Sequence, residues 1–177
     1  MFTYILFHLL YTQIRAGDII KLSGKTAVPA DMIIVLTSLY SDGNQCYVET
    51  TNIDGETNLK LREAPVSLKP LAVASHGTPN KDMFEGEVKC EPPNKNIHNF
   101  IGTLKLVKLY DHISLSADNM LLKGSLLSNT EWVYGLAVYT GQESKVQMNN
   151  RRAPSKMSKL EKYVNVAIII IFFAQVT

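Results

Sequence analysis

Short β-prone runs divided by turn signals recur along most of this chain, and that rhythm restricts its fold more than any other feature. Residues 18–22 and 32–36 are two such runs, separated by Ser23-Gly24-Lys25 and by Pro29, which has no N–H to give a sheet ladder. Residues 45–50 follow the turn-forming Ser41-Asp42-Gly43-Asn44, and 104–106, 120–122 and 132–139 supply further strands. In the last of these Trp132, Tyr134, Leu136 and Val138 alternate with Val133, Gly135, Ala137 and Tyr139, the period of two that a strand requires. Many short strands with turns between them predict a mainly β domain, a distorted jelly roll or β-sandwich. Residues 64–99 interrupt the rhythm. Pro65, Pro70, Pro79, Pro92 and Pro93, with Gly77 and Gly86, predict a long insertion that leaves the sandwich and carries one extra strand over 85–91.

The 177 residues have room for one domain with a sizeable core and an appended helix. The expected organisation is an apolar segment over 1–13, the β domain over 14–150, a linker and helix start over 151–163, and a truncated transmembrane helix over 164–177. Residues 1–11 are apolar but lack a basic n-region and a small-residue cleavage site, so they do not read as a secretory signal. The net charge of +2 is too small to argue for a nucleic-acid partner. The position of the charge says more. Lys145, Arg151, Arg152, Lys156, Lys159 and Lys162 precede an apolar run at 167–174, with only Glu143 and Glu161 opposing them, and such a bias marks the cytosolic side of a membrane segment. Residues 164–176 are fewer than the ~20 that a crossing needs. The run is apolar on all sides, which favours the start of a membrane helix over a buried amphipathic one. Cys46 and Cys90 lack metal-site spacing and read as reduced thiols, and the four histidines are scattered singly.

Asp54-Gly55-Glu56-Thr57-Asn58-Leu59-Lys60 is the stretch richest in chemistry. It sets one carboxylate, Glu56, between a glycine and two small hydrogen-bonding residues, directly after a β-prone run. Gly55 permits positive φ, and Asp54, Thr57 and Asn58 are able to bond local N–H groups and hold a tight loop. A rigid turn that aims a carboxylate outward suits water positioning and general-base work. The plainer reading is a polar surface turn. Gly24-Lys25-Thr26 does not make a phosphate loop, because Ile19 stands where the required upstream glycine would be. Pro29-Ala30-Asp31 is a turn in which Asp31 caps amides before a buried strand, and Lys123-Gly124-Ser125 and Tyr139-Thr140-Gly141 read as turn and strand-end elements.

Taken together, the DGETNLK loop, Pro29-Ala30-Asp31, Lys123-Gly124-Ser125, Asn129-Thr130 and Tyr139-Thr140-Gly141 resemble the actuator domain of the phospholipid flippases, the type IV P-type ATPases. The match runs from about Ile14 to the end of the chain, with the motifs in the family's order. Cation-pumping relatives usually carry T-G-E-S or T-G-E-T at this loop, so Asp54 and the Asn58-Leu59-Lys60 continuation resemble the lipid branch. The resemblance implies a catalytic set of Glu56, Thr57, Asn58, Gly55 and Asp54, with Asp31 supporting the loop from behind. It implies that Glu56 acts in hydrolysis of an aspartyl-phosphate, and that the implied insertion follows the loop. The D-K-T-G-T phosphorylation motif does not occur in these residues, so ATP and Mg²⁺ would belong to the full-length enzyme. Implied partners are phosphorylation and nucleotide domains of the same protein, a phospholipid substrate and an accessory membrane subunit. Implied location is an integral membrane protein with this domain on the cytosolic side. A membrane-tethered β-sandwich without catalysis and the actuator domain of a cation pump are the alternatives.

Overall fold

The computed structural model describes residues 3–5, 14–75, 85–109, 112–150 and 159–176. The strands are β1 (Thr3–Ile5), β2 (Asp18–Ser23), β3 (Asp31–Thr37), β4 (Gln45–Glu49), β5 (Lys60–Glu63), β6 (Gly86–Cys90), β7 (Gly102–Leu106), β8 (His112–Leu115), β9 (Met120–Leu121), β10 (Leu126–Ser128) and β11 (Trp132–Tyr139). The helices are α1 (Thr51–Asp54), α2 (Lys69–Ala74), α3 (Lys145–Asn149) and α4 (Lys159–Val176). The domain is mainly β, as expected, with a helix at its C-terminal end.

The strands form three sheets. A central sheet runs in the order β1-β2-β11-β3-β9, and two three-stranded sheets run β10-β4-β5 and β6-β7-β8. Every pairing is antiparallel except β1 with β2. β3, reading DMIIVLT, is buried at all seven positions. A strand with no polar face needs cover on both sides, and two separate cores supply it. Ile20, Leu22, Met32, Ile34, Val133 and Ala137 of the central sheet meet Cys46 and Val48 of β4 and Leu127 of β10. On the opposite face Ile19, Ile33, Val35, Tyr134 and Leu136 meet Leu104 and Leu106 of β7 and Ile113 and Leu115 of β8. The result is three layers with the central sheet between two thinner ones. Gly135 allows the pairing of β11 with β3 to be this close, since a Cβ there would sit 2.7 Å from Cε of Met32.

Two irregularities set which way side chains face. The β11–β3 ladder shifts register between Tyr134 and Gly135 and again between Ala137 and Tyr139. At the second shift Tyr139 joins the same core as Tyr134 and Leu136, where strict alternation would have turned it away.

The segment expected to leave the sandwich behaves differently. After Ala64, a 3₁₀ turn over Val66–Leu68 leads into α2, and Ala64, Leu68 and Ala72 are all buried. Prolines there shape the path of the chain without keeping it out of the core: Pro65 precedes the 3₁₀ turn and Pro70 lies in the first turn of α2, where a missing N–H costs nothing. The extra strand expected over 85–91 is β6, paired with β7. β5, β8 and β10 were not predicted. Each is at most four residues long and mixed in polarity, so it lacks a legible period. The expected linker at 151–158, most of 1–13, and Gly77 and Pro79 lie outside the described residues. No helix among the described residues is long and apolar enough to cross a membrane, and in α4 Tyr163, Val164, Val166 and residues 168–173 are exposed.

Burial of Leu68 gives a direct test of its place in the core. Leu68→Ala should lower stability by about 2–5 kcal/mol, while Val66→Ala, two residues away and 66% exposed, should change it by no more than about 0.5 kcal/mol. Urea unfolding of the two variants measures the difference, and equal midpoints would mean that the segment is not part of the core.

Candidate functional site

β4 does not deliver the chain straight to the loop. The one-turn helix α1 intervenes, with Ile53 N–H and Asp54 N–H both donating to the Thr50 carbonyl at 2.7 and 3.1 Å. Gly55 ends it in the left-handed region, at φ 76°, and its N–H returns to the Thr51 carbonyl at 3.1 Å. This is the usual way a helix stops on glycine. A Cβ at Gly55 would meet nothing within 4 Å, so the need for glycine is conformational and not steric. The sequence carried the signal in Asp54-Gly55, a last helical residue followed by a C-terminal glycine, but four residues are too few to show a helical period.

The loop is tied at two points. Asp54 accepts the Glu56 N–H at 3.0 Å and the Thr50 hydroxyl at 2.9 Å, and its other oxygen takes the Lys60 ammonium at 2.5 Å. Thr51 reaches the Glu49 carboxylate at 2.8 Å and the Glu56 carbonyl at 3.1 Å. The expectation that Thr57 and Asn58 would share this work is corrected. Both are exposed, and their side chains make no hydrogen bond to the described residues, whereas Thr50 and Thr51 upstream do the tying. Those threonines read as strand end and were overlooked.

The two loop carboxylates sit in different environments. The Asp54 side chain is 17% exposed and the Glu56 side chain 61%. Burial would raise the Asp54 carboxyl, but the hydrogen bonds from Lys60, the Glu56 amide and Thr50 outweigh it and hold the group at about 2. Bonding to Asp54 and then to Glu56 raises the Lys60 ammonium in turn. Glu56 makes a single ion pair, with Lys60 at 2.8 Å. An exposed pair of this kind is worth about 0.2–1 kcal/mol, so Glu56 is free to leave it. Asp54 is the anchor and Glu56 the movable carboxylate.

Asp31 bonds to segments other than the loop. It opens β3 in the central sheet, fully buried, and accepts the N–H of Lys123 at 2.8 Å and of Lys145 at 2.6 Å. Burial pushes its carboxyl up, and the two amides pull it only partly back. Its bonds therefore fix the Lys123-Gly124-Ser125 turn and the start of α3, while Asp54 and Glu56 lie on the β4–β5 connection of another sheet. Lys123 also donates from Nζ to the Gly141 carbonyl at 3.2 Å, so the two glycine-containing motifs meet. Neither cysteine is disulfide-bonded, and burial pushes the Cys46 thiol up to about 12, which makes it inert. No group of three His, Cys, Asp or Glu side chains among the described residues converges as a metal site.

No protein-family model matches the chain. Individual proteins do. A phospholipid-transporting ATPase of Schizosaccharomyces pombe is 41% identical over 165 residues, 91% of this chain. The phospholipid-transporting ATPase tat-1 of Caenorhabditis elegans is 36% identical over 94% of it, and phospholipid-transporting ATPase 10 of Arabidopsis thaliana 40% over 92%. This chain is homologous to a segment of the phospholipid-transporting ATPases. It spans only 12%, 14% and 13% of the length of these three relatives. The similarity is therefore to one portion of a much larger protein, and that portion takes in the loop, the Asp31 junction and α3.

The depressed Asp54 carboxyl has a measurable signature. In a carboxyl NMR titration Asp54 should inflect near 2, and Lys60→Met should move it up toward the ordinary 3.8. The sign follows from the direction of the shift: the stabilisation from this cluster is complete above about 3.8 and is lost as pH falls from there toward 2. An Asp54 that titrates at its ordinary value in the wild-type chain would remove the anchor from the loop.

Proposed function

We propose that this chain is the actuator domain of a phospholipid-translocating P-type ATPase, and that Glu56 is the base that hydrolyses the aspartyl-phosphate intermediate. The observation that carries the reading is the division between the loop carboxylates: one is locked by three donors, and the other is exposed beside a lysine on a loop whose backbone is tied. A base must reach its water and then hold a proton. Asp54, held near 2, is a poor candidate, and Glu56 is free for the task. The homology supplies the context in which such a base has a substrate.

In the full-length protein ATP would phosphorylate an aspartate of the phosphorylation domain, with Mg²⁺ bound there. Among the described residues the donors at the loop do not fit a divalent ion, since Asp54 and Glu56 share Lys60 and no third His, Cys, Asp or Glu converges on them. Glu56 takes the proton of a water whose oxygen attacks phosphorus, as the bond from phosphorus to the aspartate oxygen breaks and inorganic phosphate leaves. A positioned base contributes about 10²- to 10⁴-fold. Thr57 and Asn58, exposed next to Glu56, would hydrogen-bond that water or the phosphoryl oxygens. An approaching phosphoryl group competes with Glu56 for Lys60, and because the exposed pair is worth no more than about 1 kcal/mol, releasing the base is cheap. Asp54 and Gly55 hold the loop. Movement of the domain would pass to membrane helices through the segments at 14–18 and 149–162. The substrate is a phospholipid, the neighbours are phosphorylation and nucleotide domains and an accessory membrane subunit, and this domain faces the cytosol.

Glu56→Gln in a full-length protein containing this domain keeps size and hydrogen bonding but removes the base. Phosphorylation by ATP should proceed, and decay of the phosphoenzyme after a chase with unlabelled ATP should slow by about 10²-fold or more, with lipid transport falling alongside. Glu63→Gln is the control. Decay at the wild-type rate in Glu56→Gln would end this assignment.

A further inference from the structure

We propose that Lys145 is a latch that joins residues 91–101 to α3, so that the two segments order and move as one unit. Lys145 is gripped at both ends. Its N–H donates to the buried Asp31 carboxylate at 2.6 Å, which fixes the first turn of α3 to the central sheet. Its ammonium, fully buried, donates to Glu91 at 3.0 Å and to the Asn94 side-chain oxygen at 2.9 Å. The same nitrogen lies over the rings of Phe100 and Tyr139, at 5.9 and 5.6 Å from their centroids. Both hydrogen bonds of the ammonium thus go to one short stretch of chain, more than fifty residues earlier in sequence.

Packing alone does not explain a lysine here. A buried ammonium loses several kcal/mol of hydration, and an uncharged side chain of similar length would fill the slot without that loss. What the charge adds is a directed grip on two side chains of the loop that joins β6 to β7. Residues 92–99 form no strand or helix, and the hydrogen bonds within 92–98 are local. Two further contacts close the same joint: the Tyr139 hydroxyl donates to the Glu91 carbonyl at 2.6 Å, and the Phe100 and Tyr139 rings meet edge to face at 6.2 Å. Asn94 and then Lys145 hold the Glu91 carboxyl below its ordinary range, so Glu91 is ionised at neutral pH. α3 is the last described element before α4. Mechanical use of the latch, in which displacement of α4 is felt at 91–101, rests on the proposed function. The coupling itself is a property of this chain.

Hydrogen exchange on the whole 177-residue chain in detergent micelles tests the coupling without any phosphorylation. Glu91→Gln, Lys145→Met and the double variant are compared with wild type. Glu91→Gln should speed exchange of the α3 amides by about tenfold, the size set by loss of one charge-assisted hydrogen bond, and Lys145→Met should do the same for 91–101. The double variant should loosen both segments no further than either single one, and β3 and β11 should keep their protection. Loosening confined to the substituted segment, additive loosening in the double variant, or equal loss across β3 and β11 would each overturn the latch. Should Lys145→Met fail to fold, Glu91→Gln decides alone, because that side chain is 23% exposed and its substitution leaves the core intact. A normal phosphoenzyme decay in Glu56→Gln would sink the dephosphorylation reading and leave this result untouched.

Discussion

A strand with no solvent face is the constraint from which the rest of the domain follows. Once β3 is buried at every position, the central sheet must be covered on both sides, and the chain has to provide two covering layers from what is left. One layer, β10-β4-β5, carries the DGETNLK loop at the connection between β4 and β5. The other, β6-β7-β8, brings Glu91, Asn94 and Phe100 against Tyr139 and Lys145. The loop and the latch therefore belong to opposite outer layers and share one rigid partition. At the start of that partition sits Asp31, which spends its carboxylate on backbone amides of two distant segments. A buried carboxylate that satisfies backbone donors replaces the ladder hydrogen bonds those segments lack.

Electrostatics in the loop are arranged by coverage more than by charge count. Asp54 and Glu56 are two residues apart and share one lysine, yet three donors hold the first and one exposed ion pair holds the second. The same ammonium thus serves as a structural bond on one side and a loose restraint on the other. This asymmetry needs no buried site and no long-range field. A one-turn helix, a left-handed glycine and two threonine hydroxyls suffice.

Legibility in the sequence tracked the length and polarity of each element. β2, β3, β4, β6 and β11 could be read because apolar or alternating residues ran for about five positions or more, and β7 and β9 were read from the shorter apolar runs at 104–106 and 120–122. β5, β8 and β10 could not, because three or four residues are too few to establish a period and take their conformation from a neighbouring strand. The left-handed conformation of Gly55 was legible from local chemistry. The tying roles of Thr50 and Thr51 were not, since a threonine at the end of a β-prone run looks like more strand. Asp31 was legible as a cap, but which amides it caps depends on contacts 92 and 114 residues away. Lys145 stood only as one more basic residue ahead of an apolar run, and nothing local distinguishes a lysine bound for the interior.

The register shift before Tyr139 has a consequence for anyone redesigning this domain. Idealised sheets are usually built with unbroken alternation, because regular ladders fold predictably. Regularising this one would send the Tyr139 ring to the layer that holds Cys46 and Val48, take its hydroxyl from the Glu91 carbonyl, and uncover one side of the Lys145 ammonium. The second of the two register shifts in the longest strand is thus a blueprint element, and a version of the fold with neater geometry would be the poorer copy.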